Sequence, residues 1–102
     1  MAAFFLIVKT ELFMPENASL KHKRQILRSL IDKIRSKTHA SAAETDFNDL
    51  WQRAELSFAL AGNDLALLQK QFDMIENILS NCDAAQVAYL DCEYTKGGFH
   101  GA

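Results

Sequence analysis

One hundred and two residues and 11.5 kDa leave room for a single domain with one core. With 49% hydrophobic and 24% charged residues, one Pro and four Gly, a disordered, collagenous or disulfide-built chain is excluded. The formal charge of −2 points to no partner, but its distribution does: residues 21–37 hold seven basic side chains against the lone acid Asp32.

Residues 3–13 alternate as a strand, with Phe4, Leu6, Val8, Thr10 and Leu12 on one face and Phe5, Ile7, Lys9, Glu11 and Phe13 on the other. Residues 14–18, which include Pro15 and Asn17, read as a loop. Ser19 then stands where an N-cap belongs, because its side-chain oxygen can accept from a free amide of the first turn. In the helix that follows, Leu20, Leu27, Leu30, Ile31 and Ile34 make an apolar stripe and the basic residues take the remaining arc. Thr38 and His39 end it.

Residues 40–46 form a small-residue strand, 47–52 a connection, and 53–61 a strand with Ala54, Leu56, Phe58 and Leu60 pointing one way. Gly62, Asn63 and Asp64 supply a turn and helix start, and Leu65, Leu68, Phe72, Ile75 and Leu79 make a second helical stripe. Residues 86–94 read as the last strand, with Ala88, Leu90 and Cys92 inward. The folded domain is expected to span residues 1–95, and the Gly-rich segment 96–102 to be a disordered tail. This order predicts an α+β, ferredoxin-like βαββαβ fold: a four-stranded antiparallel sheet with both helices on one face. Such an architecture hosts many unrelated functions.

Two segments stand out from the generic pattern: Ser19-Leu20-Lys21-His22-Lys23-Arg24 at the first helix start and Asp49-Leu50-Trp51-Gln52-Arg53-Ala54 before the third strand. With Lys9-Thr10-Glu11-Leu12 in the first strand, they resemble the YlxP-like family of small bacterial proteins of unknown function, over roughly residues 3–94. His22 departs from the acidic or small polar residue common there. The resemblance implies a ferredoxin-like fold and an association with translation, since family members are often encoded beside translation and ribosome-maturation factors. It carries over no catalytic residue.

Lys21, Lys23, Arg24, Arg28, Lys33 and Arg35, continued by Lys37, form a basic row on a helix about 27 Å long. Such a row suits the phosphates of rRNA or a ribosomal subunit, or an acidic protein surface; the plainer reading is a solvated helix face. Near absence of acids favours a partner, because a solvated face ordinarily interleaves both signs. Basic groups at the helix start also oppose the macrodipole, at a few tenths of a kcal/mol each.

Asp49, Trp51, Gln52 and Arg53 form the second candidate group. Trp51 either packs under the hairpin end or presents its ring to a base or partner, and Arg53 can pair with Asp49. The predicted topology sets this loop at the C-terminal end of the first helix, with Asp46 and Asp49 facing Arg35 or Lys37. The two groups are thereby expected a helix length apart. An uncovered sheet face carrying Phe5, Ile7, Ala59, Ala61 and Tyr89 leaves a homodimer open.

Catalysis, a cofactor and a metal are not expected. His22, His39 and His100 are scattered without a nucleophile or paired carboxylate in recognisable relation, and there is no Gly-rich phosphate loop. Cys82 and Cys92 lack metal or redox spacing and read as reduced thiols of a cytoplasmic protein. The apolar run 2–8 is too short to span a membrane and lacks a signal-peptide layout.

Overall fold

The computed structural model describes residues 2–97. Its elements are β1 (Ala3–Phe13), α1 (Leu20–Lys37), β2 (Ser41–Asp46), β3 (Arg53–Gly62), α2 (Leu65–Ser80) and β4 (Gln86–Gly97). The strands make one antiparallel-paired sheet in the order β2-β3-β1-β4, the expected ferredoxin-like arrangement.

Alternation in β1 and β3 builds the core. Leu6, Val8 and Leu12 from β1 and Ala54, Leu56, Phe58 and Leu60 from β3 are buried, and they meet Leu27, Leu30 and Ile34 of α1 and Leu68, Ile75 and Leu79 of α2. Apolar burial of this kind contributes roughly 25 cal/mol per Å². Thr10 also points inward, where its hydroxyl donates to the Tyr89 carbonyl at 2.8 Å, so the buried polar group is satisfied.

Ser19 caps α1 by accepting from the His22 amide at 3.1 Å. Ser19→Ala should therefore lower stability by about 1 kcal/mol in urea denaturation, with the fold retained. At the other end Thr38 closes the helix, its hydroxyl donating to the Ile34 carbonyl at 2.8 Å while accepting from the Ala40 amide at 3.2 Å. Asp64 caps α2 by accepting from Ala66 N–H at 2.9 Å.

Two expectations for β4 are corrected. Glu11 pairs with Tyr89 but Leu12 with Val87, so Ala88 is an extra residue in a β-bulge. That register shift leaves Ala88 exposed and gives its inward place to Val87, beside Leu90 and Cys92. The strand also runs two residues into the segment expected as tail, since Lys96 and Gly97 pair with Phe4 and Ala3. The rest of that segment, 98–102 with His100, lies outside the described residues. Among the described residues no helix is long and apolar enough to cross a membrane.

Strand direction positions the site. α1 reverses the chain after β1, so β2 runs parallel to β1, two places away, and both strands end at the same edge of the sheet. The β2–β3 connection therefore lies at the start of α1, not at its C-terminal end as expected.

Candidate functional site

Lys23 shows the consequence most directly. It is 1% exposed, and its ammonium group donates to the carbonyls of Phe47 and Leu50, each at 2.7 Å. Its charge is met by the Glu44 carboxylate at 2.9 Å, an ionic contact without a directed hydrogen bond to Oε2. A four-carbon stem with three rotatable donors suits this use, since the stem packs in the core while the head meets groups from a distant loop. Lys23 is thus removed from the phosphate-binding row. It occupies the inner arc of α1 with Leu27, Leu30 and Ile34.

Further bonds seat the same loop. Met14 N–H donates to the Gln52 carbonyl at 2.8 Å, and the Asn17 amide donates to the carbonyls of Trp51 and Ser19. Gln52 returns its own amide to Pro15 at 3.0 Å and Asn17 at 3.4 Å. The two sequence motifs, expected a helix length apart, are bonded to each other. Asp46 and Asp49 do not face Arg35 or Lys37: Asp46 accepts from the Phe47 amide at 2.7 Å, and Arg35 donates to Ala42 O at 3.3 Å.

Arg53 pairs with Glu11 across the β1–β3 ladder, Nε to Oε1 at 2.9 Å, and not with Asp49. Its guanidinium also lies over the Phe47 ring, 4.0 Å from the centroid. Phe47 has φ 62°, a left-handed backbone that costs a bulky residue of order 1–3 kcal/mol. The surroundings over-determine it: its carbonyl accepts from Lys23 Nζ and from the Leu50 amide at 3.0 Å, and its ring carries Arg53.

What this frame presents is apolar. Trp51 is 55% exposed, Leu50 44% and Phe13 38%, around a shallow concavity of about 470 Å³ completed by Asp49, Gln52 and Arg53. Trp51 is held through its backbone, and its ring is not packed under the hairpin end.

The cations of α1 divide into two flanks. At 100° per residue Lys21, Arg24, Arg28 and Arg35 fall in a sector about 60° wide. Arg24, Arg28 and Arg35 line one groove with Leu27, Ile31, Asp32 and Glu44, along the β2 side. Lys33 belongs to the other flank, in a concavity with His22, Ile26 and Cys82. Lys21, Arg24 and Arg28 are exposed and have no ion pair among the described residues, and neither have Lys33 and Arg35. Among the described residues no cluster of three or more His, Cys, Asp or Glu is placed to hold a metal ion.

Elsewhere, burial followed by the Asp91 and Glu76 charges pushes the Cys92 thiol up. The hydrogen bond from Tyr89 Oη to Asp91 at 3.0 Å, with that residue's charge, raises the phenol. Both lie on β4.

Glu44, Asn17 and Phe47 complete the site without being singled out by the sequence pattern. One signal for Lys23 is present in it: positions 20, 23, 27, 30 and 34 step by three and four, which places a lysine inside an apolar stripe.

A family model matches residues 5–92. The chain belongs to that family, described as "Protein of unknown function (DUF503)". It is 25% identical over 65 residues to "Uncharacterized protein YlxP" of Bacillus subtilis (strain 168), covering 64% of this chain and 71% of the relative. Among solved structures, the de novo designed protein Foldit4 superposes with a TM-score of 0.52 at 8% identity, over 90% of this chain and 96% of that one. At that identity the likeness concerns the fold alone. A crystal structure of a Shewanella oneidensis protein aligns with a TM-score of 0.47 and 17% identity, over 90% of each chain. The matched residues of the DUF503 family take in both motifs, α1 and the loop seated on it.

Proposed function

We propose that this DUF503 protein is a non-catalytic RNA-binding module of the cytoplasm, serving translation or ribosome maturation by setting the β2 flank of α1 on backbone phosphates. The observation that supports it is the row Lys21, Arg24, Arg28 and Arg35, confined to one flank and without an ion pair among the described residues. Guanidinium groups suit this use, since their planar fork matches phosphate oxygens. Free Cys82 and Cys92 agree with a reducing compartment.

The test is binding of labelled rRNA fragments across a salt series of about 50–200 mM, with co-sedimentation on ribosomal subunits. Replacing Arg24, Arg28 and Arg35 together by Ala should keep the far-ultraviolet spectrum and flatten the salt slope by roughly 0.7–0.9 for each phosphate no longer neutralised. No salt-dependent binding by the unaltered protein overturns the reading. A second reading, a dimeric module docking an acidic protein, is favoured by the open sheet face, where Ile7 is 51% and Tyr89 48% exposed. Partner recovery that survives nuclease, together with a dimer in sedimentation, selects it.

A further inference from the structure

We infer that the concavity at Trp51 receives an unstacked base of single-stranded RNA, so that a base shelf and a phosphate row are joined at one end of the molecule; this rests on the RNA reading above. Three observations converge. Trp51 and Phe13 offer exposed aromatic faces around one cavity, and every base has a π-face to lay on such a surface. The backbone of the loop bearing Trp51 is fixed by bonds to its carbonyls from Lys23, Asn17 and Met14, so the loop itself needs no ordering on binding.

Charge selects the occupant. Asp49 lines the same cavity and has no ion pair among the described residues, while Arg53, on the same wall, has its charge met by Glu11 through Nε and one Nη. An acceptor-only carboxylate repels a phosphate or an acidic peptide but accepts from the N–H edge of a base. Guanine presents two adjacent donors, N1–H and N2–H, to the two carboxylate oxygens. The phosphates of the same strand meet Lys21 and Arg24, which belong to the first turns of α1, the end where this loop is seated. Duplex RNA keeps its bases stacked and cannot fill the shelf.

Trp51 is the sole tryptophan, so its emission reports the shelf alone. The protein is titrated with UUUUGUUUU, with oligouridine of equal length and with a duplex, while anisotropy of labelled RNA is followed in parallel. Saturable quenching by the single strands, tighter for the guanine-bearing one, and binding of the duplex without quenching are expected. Trp51→Ala should weaken anisotropy-detected binding of the single strand about tenfold at unchanged salt slope, and Trp51→Phe should restore part of it. Asp49→Asn should abolish the preference for guanine.

RNA binding with constant Trp51 emission, and no loss in Trp51→Ala, overturns the shelf and leaves the phosphate row standing. No RNA binding at all removes both. An emission shift that follows protein concentration without RNA overturns the proposal in favour of a second copy of the chain on the same surface.

Discussion

Lys23→Met should lower the unfolding free energy by about 3 kcal/mol, the low end of the range for losing one member of a buried charged pair, because the Glu44 left behind keeps a fifth of its side chain in solvent. Methionine keeps most of the stem's volume, so the loss reports the ammonium group and not a cavity. Two groups lose their partner, the Leu50 carbonyl and the Glu44 carboxylate, and the Phe47 carbonyl keeps only the Leu50 amide. Against a total of roughly 5–15 kcal/mol for a domain of this kind, the fold would be left marginal. Urea denaturation followed by circular dichroism measures the change. Adding Glu44→Gln should recover only part of it, because that removes the stranded charge and still leaves the Leu50 carbonyl unmet. A change below about 1 kcal/mol for Lys23→Met, the range of exposed ion pairs, would show that Lys23 acts as a surface residue after all.

Charge reversal on one flank of α1 should abolish RNA binding, and the same reversal on the other flank should not. Arg24→Glu with Arg28→Glu alters the row beside β2; Lys33→Glu with Lys37→Glu makes the same change in net charge, with Lys33 in the opposite concavity. Four neutralised phosphates give a salt slope of roughly −2.8 to −3.6, about 10² in affinity over a fourfold rise in salt, so removing two of the four cations and installing repulsion in their place has a large effect. Binding at low and at physiological salt measures it. Equal losses from the two pairs would mean that net charge attracts RNA without a defined surface, and the phosphate row would fall.

These residues also mark how far the sequence is readable. Alternation in β1 and β3 and the stripe of α2 follow from elementary periodicities, and the structure reproduces them except at Leu65, which is exposed in the first turn of α2. The basic row is readable as composition, but its division into flanks needs the buried arc of α1 as reference. That arc is misread if Lys23 is assumed to face water because it is charged. Its spacing with Leu20 and Leu27 argues otherwise, and only the carbonyls of a loop some 24 residues further along explain how the charge is tolerated. Which end of α1 receives that loop follows from strand direction, and the expected βαββαβ order already implies it: β2 runs parallel to β1, so its end returns to the start of α1. Pro15, Asn17 and Gln52 look like ordinary loop residues until β2 is laid parallel to β1; then they are neighbours. The exposure of Trp51 is not legible, because a tryptophan beside a hairpin packs inward or outward according to bonds that its own side chain does not make.

The bulge at Ala88 bears on whether copies of this chain polymerise. β4 is an edge strand of twelve residues, and among the described residues no further strand pairs with its outer side, although the Cys92 amide is already met by the Asp91 carboxylate at 2.9 Å. An unbroken edge of that length would template sheet growth from molecule to molecule. The extra residue bends and twists the strand near its start, and the Thr10 hydroxyl fastens the bend through Tyr89. A visiting strand can match the register on one side of Ala88 or on the other, never along the full edge. The irregularity that displaces one alanine from the core therefore also interrupts the register that a visiting strand would have to match near the start of β4.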